Sequence, residues 1–433
     1  MVKSWEKIIL RDVCEKINYG FTASSTMKPI GPKFLRITDI VPELINWNDV
    51  PFCSISEQEA KKYLLETGDI VIARTGATSG YAKHIKSHPS AIFASYLVRL
   101  RIKKEHDSQY IGLIVESGDY KRFIQANLGG SAQPQANAQI LTSYPLSLPP
   151  LRIQHKIASI LSAYDDLIEN NTRRIAILEE MAQSLYQEWF VHYRFPGHKK
   201  NKLVESELGL IPEGWQLQLI GDVVEVLGGG TPSTKNPEYW LDGDIIWFSP
   251  TDLTAASSMF ISDSAKKINA QGLQKSSARL FPAGSVMMTS RATIGVIAIN
   301  TQPACTNQGF ITCLPNEYMS AYQLYFWLAE NKEKIISLAS GSTFREINKA
   351  TFRGLPVVIP EQKVSQHFNS IVQPLCQQIE NLIFRNINLR RTRDLLLPKL
   401  IAGELDVEHL SVPSSVEEGL EVAEEPLEAA VSM

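Results

Sequence analysis

The longest regular pattern of apolar and polar positions in this chain runs from Pro149 to Phe190. Apolar residues recur there at Ile153, Ile157, Ile160, Tyr164 and Leu167, then at Ile175, Leu178, Met181 or Ala182, Leu185 and Trp189. Spacing of three and four held for about five heptads predicts a helical seam rather than a strand. Pro149 and Pro150 block an earlier start and Arg194-Phe195-Pro196-Gly197 ends the pattern, so the helix should be about 40 residues, or roughly 60 Å, long.

The stretch occurs twice. One constant offset, without a gap, lays Gly130-Ser131 on Gly341-Ser342, Pro145 on Pro356, Ile168-Glu169-Asn170 on Ile379-Glu380-Asn381 and Leu185 on Leu396. The seam is read at Ile157, Ile160, Leu167, Asn171, Leu178 and Leu185 on the first helix, and at Ile371, Leu375, Gln378, Leu382, Leu389 and Leu396 on the second. Asn171 and Gln378 are each polar where the other copy is apolar. A polar seam residue fixes register and partner at some expense of stability, so the two helices are expected to pair with each other. Pro374 stands where the first helix has Ala163 and predicts a kink, with segments at 361–373 and 375–397 and an end near Pro398.

Ahead of each helix come short β-branched and aromatic runs broken by glycine turns, such as KFLRITDI and DIIWFSPTDL, then an amphipathic helix and a Gly-Ser loop. Asp12-Val13 matches Asp222-Val223 and Gly20 matches Gly230. The fold class is therefore α+β: two repeated globules at 1–148 and 213–357, each followed by a long helix, at 149–192 and 358–402. A polar linker spans 193–212 and an acidic, disorder-prone tail spans 403–433.

Composition changes this picture little. The net charge of -3 depends on six glutamates within 411–433, a stretch without Lys or Arg; the rest has 43 basic residues against 40 acidic ones. The body is mildly basic, which permits a nucleic-acid partner without requiring one. The most apolar run is interrupted by Arg291 and is too short to span a bilayer, and the N-terminus lacks a signal-peptide core, so a cytoplasmic protein without a membrane segment is expected. Five cysteines in no CxxC pair suggest buried, inert thiols.

Catalytic signatures are sparse. GGGTPST at 228 lacks the Lys of a phosphate-binding loop and reads as a permissive turn. NPEYW at 236 has Glu238 where an adenine-methyltransferase tetrad needs its second proline, and no glycine-rich cofactor loop precedes it. His84 and His88 sit in a polar stretch without partners at ligand spacing, and read as a loop pair. Neither a catalytic centre nor a metal site is expected.

What recurs is a set of polar loops. In the first copy they present Thr22 and Ser24, then Arg74, Thr75, Thr78 and Ser79, then Ser131, Gln133, Gln135 and Asn137. In the second they present Thr231 and Ser233, then Ser290, Arg291 and Thr293, then Asn307 and Gln308, then Ser342, Thr343, Arg345 and Lys349. The segment after Arg74 matches the segment after Arg291. Arg pairs with guanine, Asn and Gln with adenine, and Ser, Thr and Lys with phosphates, so these are candidate DNA contacts.

The order globule, helix, linker, globule, helix, with ARTGATSG and SRATIG, NQGF at 307, LGLIPEGW opening the second half and LLLPKLIAGELDV closing it, resembles the specificity subunit of type I restriction-modification systems. The entry to the first helix, Pro149-Pro150-Leu151-Arg152-Ile153-Gln154, lacks the Glu that family carries before its Gln, and Pro360-Glu361-Gln362 lacks the second proline and spacer. The resemblance implies two target recognition domains, each reading one half of a gapped asymmetric site on double-stranded DNA. It implies an antiparallel coiled coil that separates them and docks two methyltransferase subunits, joined by restriction (motor-nuclease) subunits. It further implies that S-adenosylmethionine, ATP and Mg belong to the partners and that this chain is not itself an enzyme. Two rivals are a coiled-coil scaffold that never touches DNA and the remnant of a fused restriction-methylation enzyme.

Overall fold

The structure, a computed structural model, describes residues 5–128, 135–341 and 345–410. It divides into two compact units, Met1–Glu169 with Asn388–Met433, and Asn170–Ile387. Each unit is an α+β globule together with a part of both long helices.

In the first unit the chain enters as Glu6–Ile9 and leaves as Pro145–Leu148, and these two strands pair antiparallel with Glu6 opposite Leu148. Between them a four-stranded antiparallel sheet has the order Cys14–Tyr19, Leu97–Ile102, Ile70–Ala73, Ala82–His84. The run Ile70-Val71-Ile72-Ala73 is apolar at every position because both its faces are covered, and all four residues are fully buried. A parallel pair, Lys33–Leu35 with Ala91–Phe93, forms a second layer. Two helices, Ser108–Glu116 and Gly118–Ala126, are started by Asp107 and Ser117, whose side chains accept from Tyr110 N and Tyr120 N. Buried Asp69 accepts from Arg101 at 3.0 and 3.2 Å and lies 3.5 Å from buried Arg99.

The second unit repeats the plan. Gln216–Leu219 and Pro356–Ile359 are its antiparallel entry and exit. A five-stranded sheet has the order Glu225–Gly228, Phe310–Leu314, Val286–Thr289, Ile297–Asn300, Phe260–Ile261, and the parallel pair is Ile245–Phe248 with Ala304–Thr306. The glycines are explained by proximity. A Cβ at Gly20 would lie 2.2 Å from the Ala94 carbonyl oxygen, and one at Gly229 would lie 1.9 Å from that of Asn307. Gly20 thus corresponds to Gly229 rather than to Gly230, and GGGTPST is a close backbone approach rather than a turn that needs positive φ.

The first long helix is α-helical over Leu151–Tyr186 and closes with a π turn over Gln187–Val191. Gln154, buried in its first turn, accepts from Asp107 N and donates to the Pro149 carbonyl, so the departed motif still ties the helix to its globule. The second long helix is unbroken over Gln362–Ile401, which corrects the predicted division at Pro374. Proline removes one N–H, but Pro374 and Ser370, whose carbonyl loses its partner, are both exposed to water, while Val372, Cys376 and Ile379 stay buried on the other face. Pro398 likewise lies inside the helix, which stops at Gly403 with φ of 69°.

Within the second unit Asn171 meets Asn386 and Trp189 packs on Phe368, so the helices run antiparallel. Heptad rows run through the buried positions of each helix: Leu161, Ile168, Ala182 and Trp189 with Ile157 and Asn171 on the first, and Phe368 and Leu382 with Val372, Ile379, Asn386 and Leu400 on the second; Ala158, Tyr186, Cys376 and Ile383 are buried outside these rows. Ile160, Leu178, Leu185, Leu375, Leu389 and Leu396 are half-buried beside them. Leu167 and Ile371 do not belong to the seam: they are 53% and 39% exposed, each one residue short of the buried Ile168 and Val372. Gln378 is half-buried beside the seam residue Ile379, and the polar partner of Asn171 is Asn386, whose Oδ1 accepts from Asn171 Nδ2 at 2.9 Å.

Two further expectations change. The segment 193–212 contains an antiparallel hairpin, Leu203–Ser206 with Gly209–Pro212, and Phe195 is buried against Trp215 at 5.2 Å. Residues 403–410 pack on the first unit: Val407 is buried, and Lys156 Nζ donates to the carbonyls of Glu408 and Leu410 at 2.7 and 3.0 Å. The acidic stretch 411–433 lies outside the described residues. Among those described, no helix is long and apolar enough to cross a membrane.

Candidate nucleic-acid interface

In each unit the same backbone frame holds the polar loops. The strand Ile70–Ala73 ends at Arg74, whose N–H donates to the Tyr96 carbonyl at 3.0 Å and whose carbonyl accepts from Ala136 N at 2.8 Å. In the second unit Ser290 N donates to the Gly309 carbonyl at 2.8 Å and the Ser290 carbonyl accepts from Ile347 N at 3.0 Å. Arg74 is therefore equivalent to Ser290, and Arg291 to Thr75, which bridges Gln135 as Arg291 bridges Glu346. The matching of Arg74 with Arg291 in sequence is off by one residue, because the two loops differ in length.

In the first unit Arg74 Nη2 donates to Gln135 Oε1 at 3.1 Å, and its guanidinium carbon lies 4.9 Å from the centre of the Tyr19 ring. Tyr19 Oη accepts from Ala138 N at 3.0 Å, which ties that ring to the same loop. Thr22 and Ser24 are exposed on the segment that follows, and Phe21 holds that segment against Phe93 and Ser95 by backbone bonds of 2.8 Å. Thr75 and Thr78 are half-buried and bonded within their own turn, Thr78 Oγ1 donating to the Thr75 carbonyl at 3.0 Å. Ser79 is fully buried, so its side chain does not belong to a contact surface. Asn137 is exposed, but its Oδ1 accepts from Ile140 N as a helix cap, and Asn348 does the same for Thr351 N. Ser131 and Gln133 lie outside the described residues.

In the second unit Pro250, Arg291, Ala292, Asn307, Gln308 and Gly309 line a shallow concavity of about 240 Å³. Ala292 is held at φ of 61°, a left-handed conformation that turns the loop directly after Arg291. Arg291 lies 3.7 Å from Glu346, Asn307 Oδ1 accepts from Gly309 N at 2.8 Å, and Thr231 Oγ1 bonds Gln308 Oε1. Thr293, Ser233 and Lys349 are exposed, and Arg345 donates to the Ile336 carbonyl at 2.7 Å. Ser290, like Ser79, is buried and drops out of the surface. Ser342 and Thr343 lie outside the described residues.

Sequence reasoning missed Tyr19 and Tyr96. Tyr96 is 57% exposed beside Arg74, and both tyrosines adjoin the glycine and loop positions of the repeat, which was the available signal. His84 is also corrected: it ends a strand rather than sitting in a loop, and burial pushes its imidazole down to about 4. The five thiols are unpaired, and burial raises four of them, Cys14, Cys305, Cys313 and Cys376, to about 12, which suppresses the reactive thiolate. Among the described residues no three His, Cys, Asp or Glu side chains are grouped to hold a metal ion.

Two repeated globules with matched frames and unlike polar loops, each joined to a long antiparallel helix, define a two-domain recognition protein. The profile of the family described as "Type I restriction modification DNA specificity domain" matches residues 2–180 and again 212–388, and the chain belongs to this family. The MjaIX specificity subunit of a type I restriction enzyme from Methanocaldococcus jannaschii is 35% identical over 41% of this chain and 41% of its own. The HindI specificity subunit from Haemophilus influenzae is 24% identical over 93% of this chain and all of its own. The crystal structure of a type I restriction-modification S subunit from M. genitalium superposes with a TM-score of 0.57 at 15% identity, covering 92% of this chain and 96% of that one, which establishes the shared fold.

Proposed function

We propose that this chain is the DNA-specificity subunit of a type I restriction-modification complex, each unit reading one half of a gapped, asymmetric duplex target. The observation that carries the reading is the repeated frame with different contents: the equivalent positions hold Arg74 and Ser290, Thr75 and Arg291, Gln135 and Glu346. A frame kept constant while its hydrogen-bonding side chains vary suits two readers of two different base sequences. The long helices are the docking elements for two methyltransferase subunits, to which restriction subunits add, and the complex works on DNA in the cytoplasm. This chain supplies recognition, while S-adenosylmethionine, ATP and Mg are bound by the partners.

The test is reconstitution. The purified chain alone should neither transfer methyl groups nor bind S-adenosylmethionine, and adding its methyltransferase partner should produce methylation at one gapped motif. Methyl transfer by the isolated chain would overturn the reading, as would binding whose salt dependence is flat, since phosphate contacts make affinity fall steeply with salt.

A further inference from the structure

We infer that Arg74 reads a guanine in the half-site of the first unit, and that Tyr19 and Gln135 are its positioning residues; the inference rests on the DNA-specificity reading above. An arginine that specifies guanine must offer two parallel N–H donors to N7 and O6, at a fixed angle, without a competing carboxylate. Arg74 meets these conditions and Arg291 does not. Arg74 projects from the end of a fully buried strand, so its backbone is held on one side by Tyr96 and on the other by Ala136. Its guanidinium lies over the Tyr19 ring and gives a single hydrogen to the neutral Gln135. Of the five N–H donors an arginine carries, the Nε–H is buried without a partner, and the Gln135 bond uses one on Nη2. Both hydrogens of Nη1 and one of Nη2 remain for a base edge.

The second unit has Glu346 where the first has Gln135, and Arg291 lies 3.7 Å from that carboxylate. A carboxylate beside the Arg291 Nε offsets the guanidinium charge and competes with a base for that side chain. Stacking on Tyr19 restrains the plane of the Arg74 guanidinium, and an ordered plane loses less freedom on forming a bidentate contact. Lysine retains the charge at this position and lacks the fork.

The experiment uses the complex of the full chain with its methyltransferase partner, a plasmid library carrying randomised DNA, and methylation-aware sequencing. The wild-type motif should contain a fixed G·C pair in one half that becomes degenerate in Arg74→Gln and Arg74→Lys, with discrimination at that position lowered about tenfold or more. The other half should stay unchanged. Tyr19→Phe, which keeps the ring, should retain the motif, and Tyr19→Leu should loosen the same position; thermal melts of both separate this effect from loss of folding. An unchanged motif with uniformly weaker binding would make Arg74 a phosphate contact and overturn the inference while leaving DNA specificity intact. A wild-type complex that methylates without any sequence preference would overturn both.

Discussion

The two units use the same topology but hold their share of the long helices by different physics. In the second unit the helices and globule meet through aromatic rings: Phe368 lies 4.8 Å from Phe190, 5.8 Å from Trp189 and 6.1 Å from Tyr186, and Tyr186 lies 5.9 Å from Phe326. In the first, apolar contacts around Ile157, Leu161 and Leu400 are supplemented by charge. Glu43, on a loop of the globule, bonds Arg390 on the second helix, Arg393 bonds Asp165 at 2.7 Å, and Lys86 bonds Asp166 at 3.1 Å. Burial alone would raise the Glu43 carboxyl, but the Arg390 hydrogen bonds and the charges of Arg390 and Arg393 outweigh it and hold it below the ordinary range. Burial of aromatic rings involves no net charge for salt to screen, whereas partly exposed ion pairs are screened and contribute little individually. The first attachment should therefore respond to solution conditions and the second should not.

The largest expected effect comes from Phe368→Ala. Removing a fully buried ring at the centre of the aromatic cluster should destabilise the second unit by about 3–5 kcal/mol, read as an earlier denaturant midpoint, with the first unit unaffected. A change in both units together would show that the two do not unfold independently.

An intermediate effect is expected at the polar pair. Asn171→Leu alone leaves Asn386 facing an apolar neighbour and should cost about 1–3 kcal/mol, measured by chemical denaturation. Replacing both asparagines by leucine should restore most of that loss while permitting more than one register, detectable by disulfide trapping of engineered cysteine pairs. Full stability with a single trapped register in the double variant would assign register to the flanking heptads instead.

The smallest effect belongs to Glu43→Gln, about 1 kcal/mol or less, and it should vanish in high salt. Its sign with pH follows from the lowered carboxyl: the stabilisation is present above the ordinary glutamate value of 4.5 and is lost as pH falls through the lower folded value. Hydrogen exchange of the 40–46 segment reports it directly. Equal exchange in the variant and the parent at low salt would dismiss the ion pairs as decoration.

The helices were legible because a seven-residue repeat is a long signal. Its phase was less so: Leu167, Ile371 and Gln378 are apolar or polar in plausible places, yet each stands one residue ahead of the buried row through Ile168, Val372 and Ile379. Following the interval of seven from Phe368 and Val372 leads to Leu382 and to Asn386, and so to the partner of Asn171. The globules were legible as α+β repeats, but a gapless offset transfers badly across loops. It places the caps Asn137 and Asn348 together correctly, but the earlier loops have to be matched by residue type, and pairing Gly20 with Gly230 and Arg74 with Arg291 is off by one residue in each case. Asn137 could not be separated from a base contact by residue type, because an amide that caps a helix and one that reads adenine look alike in sequence. Ser290 failed as a surface residue because it directly follows the buried strand Val286–Thr289, and Ser79 failed because the chain turns inward after Gly76–Thr78, ahead of the strand Ala82–His84. The continuity through Pro374 was hidden because one missing hydrogen bond on a wet face is outweighed by the apolar row on the other.

The paired entry and exit strands give each globule a property of a different kind. Glu6 stands opposite Leu148 and Gln216 opposite Ile359, so the chain leaves each globule beside the point where it came in, a few residues before a long helix begins at Leu151 or Gln362. Adjacent ends let a globule be replaced at two junctions, both inside a short ladder, without lengthening or shortening the connection to the helix beyond. Exchanging residues 6–148 for those of a relative should therefore give a folded chain whose second globule is unchanged, which turns the closing ladder into a natural splice point.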